Sequence, residues 1–163
     1  MTSYSILKTP LDEIILVANE TELTALYFTG QSHAPVMRSD WVLNPRHAVL
    51  QQARQQVEEY LEGERRSFSL PLRFDGTEFQ ERVWREIAVI PYGETITYSQ
   101  LAQRAGAPEA VRAAGAATGR NRIGIIIPCH RVVGKDGTLT GYAGGLPRKR
   151  HLLELEQGIK SLV

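Results

Sequence analysis

A single cysteine, Cys129, stands in 163 residues, so neither an intrachain disulfide nor a multi-cysteine zinc site can form. No apolar run approaches the ~20 residues that a membrane-spanning helix needs. The opening MTSYSILKTPLDE has no basic head ahead of an apolar core, so a signal peptide is not expected. These absences point to a cytoplasmic protein with a reduced thiol and no membrane partner. Hydrophobic residues make up 42% and charged residues 23%, the proportions of an ordinary soluble globular chain. The length suits one domain of common size or two small ones.

An excess of charge of either sign is also lacking, with a net of only +1, yet the distribution of charge is uneven. Residues 111–150 hold eight basic side chains against one acid, Asp136, which leaves eleven basic and seventeen acidic residues elsewhere. A basic block suits a polyanion such as DNA. The plain alternative is a solvated basic surface.

The cysteine lies inside that block, in Ile125-Ile126-Ile127-Pro128-Cys129-His130-Arg131-Val132-Val133-Gly134. The isoleucine run reads as a buried strand or strand-like support, and Pro128 should end regular pairing. A thiol is thereby delivered beside two potential cations. Free cysteine titrates near ~8.5, and a neighbouring imidazole or guanidinium lowers that value, which makes a nucleophile. The alternative is a buried, inert cysteine.

Residues 4–9, 13–18 and 22–28 read as short strands, with a turn at Asn19-Glu20-Thr21. Residues 29–45 read as loop, and apolar spacing predicts a helix over 46–61 that Gly63 ends. Ser67 to Leu70 alternates like another strand. Composition changes at Asp75-Gly76, which divides the chain into residues 1–75, a structural α/β domain, and residues 76–163. Thr77 with Gln80, and Thr97 with Gln100, have capping-box spacing for two helices. Phe79, Val83, Trp84, Ile87 and Ile90 give the first of these a core-packing face. The second runs through Ser99–Ala105. Pro108 is expected to start a further helix, Glu109 to about Thr118, giving a helix-turn-helix pattern. Its alanines and Gly115 make a thin surface from which Arg112 projects. Lys135 to Thr138 reads as a hairpin turn and Gly141 to Gly145 as a loop that walls a pocket. A last helix beginning near Pro147 carries Glu156.

Several of these segments, in fixed order from Thr77 to Glu156, resemble the O6-alkylguanine-DNA alkyltransferases: FQERVW, IPYGETITY, RAAGAATG, IIIPCHRVVG and LTGYAGGLPRKRHLLELE. The resemblance implies an α+β fold. A small N-terminal α/β, RNase H-like domain would precede a C-terminal helix-turn-helix domain bearing the active-site cysteine. It implies direct-reversal DNA repair, in which Cys129 accepts an alkyl group from O6 of guanine once and keeps it.

Residue by residue, the resemblance makes His130 the base that deprotonates Cys129 through a water and Glu156 the carboxylate that orients His130. Asn121 belongs to the same network. Tyr98 helps turn the nucleotide out and donates a proton to the departing guanine. Arg112 is the finger that fills the vacated stack. The thin helix and the basic segment add Ala113, Ala114, Thr118, Arg120 and Arg131 as expected DNA contacts. Tyr142, Ala143, Gly144, Lys149 and Val132 would line the base pocket. The partner implied is double-stranded DNA, bound in the minor groove with little sequence preference by a protein that is monomeric in solution, clustering on DNA being left open. No cofactor and no metal are expected. Two features depart from the family pattern. Arg122 stands where proline commonly follows the asparagine, and the ligands of an N-terminal zinc site are lacking.

Two other classes fit parts of the sequence. Non-catalytic relatives recognise alkylated bases but carry another residue, often tryptophan, in place of the cysteine. A Cys-His-Glu hydrolase would use the same three residue types but leaves the basic block unexplained.

Overall fold

The computed structural model describes residues 1–158. The sequence-predicted second domain, 76–163, therefore ends in five residues that lie outside the described ones. The chain forms two compact units: Met1–Phe74 together with Arg122–Gly124, and Asp75–Asn121 together with the described chain from Ile125 on.

In the first unit, strands β1 (Ser3–Thr9), β2 (Asp12–Ala18) and β3 (Leu23–Phe28) form an antiparallel meander. A short β4 (Val42–Leu43) adds in parallel to β1, giving the order β3-β2-β1-β4. Residues 29–45, expected to be loop throughout, thus contain one short strand. The sheet is covered on both faces, which is why β2 is buried continuously from Ile14 to Ala18 rather than at alternate positions. Ile15, Val17, Ala25 and Tyr27 pack with Tyr4, Ala34 and Trp41 on one face. Helix α1 (Ala48–Leu61) packs on the sheet through Val49, Leu50, Ala53, Val57 and Tyr60, and Gly63 follows its end at φ +81°. Its cap is His47, which sequence reasoning did not single out. Nδ1 accepts from Val49 N at 3.2 Å, and Nε2 donates to the Asn19 carbonyl at 2.8 Å.

Ser67 to Leu70 is not a strand. The side-chain amide of Gln56 takes both backbone groups of Ser69, at 2.9 and 3.0 Å, in place of a ladder partner. The outer edge of β3 is instead covered by isolated parallel bridges to Leu72 and Ile123.

In the second unit, helices α2 (Glu78–Ala88), α3 (Tyr98–Arg104) and α4 (Val111–Gly119) pack on one another. Both expected capping boxes are present, Thr77 with Gln80 and Thr97 with Gln100. Such caps are worth about 1 kcal/mol each. Val83, Trp84 and Ile87 form the buried face of α2, and Trp84 Nε1 donates to the Ala117 carbonyl of α4 at 2.8 Å. Helix α4 starts later than its proline suggested. Ala110 N bonds back to Ala107 O at 2.8 Å, so Pro108 occupies a turn and the helix begins at Val111.

A two-stranded parallel ladder joins β5 (Ile96–Thr97) to β6 (Val132–Val133). It ties the entry to α3 to the residues that follow the cysteine. The last helix, α5 (Leu146–Glu156), has proline in its first turn, as expected. Residues 134–138 form a tight turn closed by Gly134 N to Thr138 O at 2.8 Å, with no second strand after it among the described residues to make a hairpin.

Candidate functional site

Cys129 is delivered by a sequence of turns, not by a strand. Ile125 to Ile127 is buried as expected but turns, with Ile125 at φ +66°. A β-branched residue rarely takes that conformation, and it costs on the order of 1–3 kcal/mol. Pro128 (φ −79°, ψ 66°) then centres an inverse γ-turn, closed by Cys129 N to Ile127 O at 2.7 Å. Cys129–Arg131 is one turn of 3-10 helix, which spreads three successive side chains about 120° apart around its axis. The proline thus bends the chain so that thiol, imidazole and guanidinium serve different neighbours.

The thiol is 6% exposed and is hydrogen-bonded by the side chains of Asn121 and Tyr142. Asn121 Nδ2 also donates to the Ile127 carbonyl at 2.9 Å, so one amide holds both the turn and the sulfur. Burial pushes the Cys129 thiol above its ordinary range, and the Asn121 bond and the Lys149 charge work against that rise. The Tyr142 hydroxyl is pushed well up, by burial first and then by the neighbouring thiolate charge.

His130 is completely buried, and its Nε2 donates to Glu156 Oε2 at 2.6 Å. Burial holds the imidazole below its ordinary range, although Glu156 pulls the other way. Glu156 closes α5, where the helix dipole disfavours a negative charge. Its carboxylate is stabilised by four donors. Oε1 accepts from Gly93 N at 3.1 Å and Arg131 Nε at 2.8 Å, and Oε2 accepts from His130 and from Arg131 Nη2 at 3.0 Å.

Arg131 was expected to touch DNA, and the structure corrects this. Its side chain is 7% exposed, forked onto Glu156, with Nη1 on the Ile90 carbonyl at 2.6 Å and the guanidinium 5.6 Å from the Tyr92 ring centroid. A guanidinium inside the apolar PCHRVV segment needs a buried carboxylate, and that was the signal available in the sequence. Nothing in periodicity pointed to Gly93 as a donor to Glu156.

The remaining candidates divide in the same way. Arg112 and Ala113 are exposed on α4, and Arg120 is exposed at its end. Ala114 and Thr118 face inward, a correction to their expected place on the DNA-facing surface. Ala114 is 0% exposed, and the Thr118 hydroxyl donates to the Ala114 carbonyl at 2.7 Å. Tyr98 begins α3, half-buried near Gly115, with its hydroxyl donating to the Gly141 carbonyl at 3.4 Å. Lys149 is fully buried. Its Nζ donates to Val132 O at 2.7 Å and Thr140 O at 3.1 Å, and lies 6.0 Å from the Tyr98 ring centroid. Burial lowers its ionisation range, partly offset by the thiolate.

Tyr142 and Ala143 are half-buried, and Gly144 is buried with its carbonyl taken by Arg148 at 2.9 Å. Val132 is wholly buried in β6, so only its carbonyl, through Lys149, bears on the loop. Arg122, in place of the family's proline, does not leave the backbone loose: its carbonyl accepts from Leu26 N, and Gly124 N donates to Leu26 O. Among the described residues no group of three or more His, Cys, Asp or Glu side chains is placed to hold a metal ion, and no helix is long and apolar enough to cross a membrane.

Fold and site together define an α+β protein whose helix-turn-helix unit carries a buried cysteine beside a histidine–carboxylate pair. Comparison with known proteins gives this class a family. Residues 78–158 match the DNA binding domain of 6-O-methylguanine DNA methyltransferase, and residues 2–74 match its ribonuclease-like domain. A methylated-DNA--protein-cysteine methyltransferase of Methanosarcina barkeri is 46% identical over 94% of this chain and 96% of its own. The constitutive Bacillus subtilis protein of the same name is 43% identical over 96% of both. A crystal structure of Mycobacterium tuberculosis OGT in complex with DNA superposes with a TM-score of 0.89 at 42% identity, covering 96% of this chain and 93% of that one. The chain belongs to the 6-O-methylguanine DNA methyltransferase family.

Proposed function

We propose that this protein repairs alkylated DNA by direct reversal, moving an alkyl group, methyl in the simplest case, from O6 of guanine in duplex DNA to Cys129 in a single turnover. The observation that carries the reading is the buried Cys129, held by Asn121 and Tyr142, one residue from the His130–Glu156 pair.

A buried thiol with a raised ionisation range rests protonated and must lose its proton as it attacks. With Nε2 committed to Glu156, Nδ1 of His130 takes that proton through a water. The thiolate attacks the alkyl carbon in line, so the S–C bond forms as the C–O6 bond breaks. Tyr98 gives a proton to the departing guanine and neutralises its developing charge. The S-alkyl bond has no route back to thiol in this chemistry, so each molecule acts once. Lys149, Tyr142, Ala143 and Gly144 shape the pocket that receives the flipped base.

The target atom lies inside the duplex, so the nucleotide must leave the stack, at a cost of a few kcal/mol. Arg112 fills the vacated space, and the exposed, thin surface at Ala113 lets α4 approach the minor groove closely. Contacts are to backbone and shape, so sequence preference is low and affinity depends strongly on salt. Arg120 adds a phosphate contact. Residues 76–163 do this work as a monomer in the cytoplasm, and residues 1–75 are structural.

Intact mass after mixing with a duplex containing O6-methylguanine tests the reading. A gain of one methyl per molecule, mapped to Cys129, is expected. Binding without gain would instead make the protein a lesion-recognition module, and neither binding nor gain would favour a hydrolase or an inert cysteine.

A further inference from the structure

We propose that Arg131 is a positioning residue for alkyl transfer: its fork onto Glu156 balances the carboxylate's charge, so that the Glu156–His130 pair rests without an extra proton and can receive the one that Cys129 gives up. The proposal rests on the alkyl-transfer reading and extends it to a residue that touches neither the base nor the thiol.

Both carboxylate oxygens of Glu156 accept from the guanidinium, at 2.8 and 3.0 Å, and Oε2 is shared with His130 at 2.6 Å. The third bond, to the Ile90 carbonyl at 2.6 Å, and the Tyr92 ring fix the fork from its far side. Both oxygens also depend on this geometry, because Gly93 N supplies only a neutral donor. A carboxylate this deeply buried tolerates its charge only with a partner cation. Arg131 is that cation when His130 is neutral. Remove it, and the pair would recover neutrality by binding a proton from solvent, on His130 or on Glu156 itself. A pair already holding that proton cannot accept the thiol's.

The other groups that bear on His130 do not substitute for Arg131. Lys149 of α5 also lowers the ionisation range of His130, but less than Arg131 does, and its Nζ is held on the Val132 and Thr140 carbonyls rather than on Glu156. Cys129 and Tyr142 are themselves neutral at rest, with raised ionisation ranges. Tyr92 lies against the guanidinium and carries no positive charge. The direction of the Arg131 charge on His130 agrees, since it adds to the lowering that burial causes.

The test is the pH profile of single-turnover transfer by the full chain, with R131M and R131K beside the wild type. In R131M the acid limb should move up by about one pH unit or more, as expected for losing an opposite charge within ~4–6 Å. R131K, which keeps the charge but not the fork, should fall between the two. A purely structural role would lower the rate at every pH and leave the limb in place, which would overturn the proposal. A phosphate contact would instead flatten the salt dependence of duplex binding by ~0.9 in log–log slope, while the proposal expects no change. Should R131M not fold, nitrogen NMR of His130 in the wild type decides: a neutral imidazole at pH 7 is expected, and an imidazolium there would overturn the assignment. Wild type that transfers nothing would refute the alkyl-transfer reading itself, a result distinct from an unmoved limb.

Discussion

Asn121 and Cys129 are joined through one carboxamide: its Nδ2 holds the Ile127 carbonyl at 2.9 Å, and the same side chain hydrogen-bonds the sulfur. The turn that presents the nucleophile and the group that favours its thiolate are thus one residue. In Asn121→Ala, a buried carbonyl loses its donor, at a cost of about 1–3 kcal/mol. The thiol should also ionise less readily. Urea denaturation should show the loss of stability, and alkylation of Cys129 by iodoacetamide at pH 8 should slow. Unchanged alkylation would show that the amide supports the turn alone.

Arg112 is exposed on α4, and the thiol's hydrogen bonds come from Asn121 and Tyr142 instead. Its replacement by alanine should slow transfer from duplex DNA by on the order of ten- to a hundred-fold, because base flipping costs a few kcal/mol. Transfer from free O6-methylguanine should change little. Equal losses on the two substrates would remove Arg112 from the flipping step.

Gly76 has no room for a side chain. A Cβ there would lie 2.5 Å from Trp84 Cη2 and 2.7 Å from Gln80 Oε1. The indole cannot swing aside without giving up its bond to Ala117. Gly76→Ala should therefore destabilise the second unit by about 1–3 kcal/mol, measured as a lower thermal midpoint. An unaltered midpoint would mean that the indole moves without loss.

Burial of His130 ties stability to pH. Its folded ionisation range is lowered, so as pH falls the unfolded chain binds the proton first. The contribution is intact above the unfolded value of ~6.5 and is lost below it, by at most ~1.4 kcal/mol per pH unit. Unfolding free energy should be lower at pH 5.5 than at pH 7.5, and His130→Asn should flatten that difference. A slope that survives the substitution belongs to carboxylates elsewhere.

What the sequence disclosed follows from how local each cause is. The capping boxes at Thr77 and Thr97 need only four consecutive residues, and both formed. The meander was legible because its strands are β-rich and separated by turn residues. Ser67 to Leu70 alternates convincingly, but a distant amide, Gln56, takes the backbone of Ser69. The isoleucine run is buried by tertiary packing in a turn conformation that its residue types disfavour. Cys129 beside His130 was legible in the residues themselves, the roles of His130 and Glu156 came from resemblance to a family, and the hydrogen bond between those two came from geometry. Arg131 was misplaced because a basic block read along the chain does not distinguish a side chain facing solvent from one facing a carboxylate twenty-five residues away.

The two tryptophans fall one to each unit, and in unlike surroundings. Trp84 is 3% exposed and bonded to a helix carbonyl, while Trp41 is only partly covered beside Tyr4. Their intrinsic fluorescence is therefore already a two-channel signal. The blue-emitting population is Trp84, whose red shift follows melting of the helix-turn-helix unit. Trp41 emits further to the red from the start and contributes mainly through intensity. An emission scan resolved by wavelength can then follow the loss of each unit in the unaltered protein, without an attached dye.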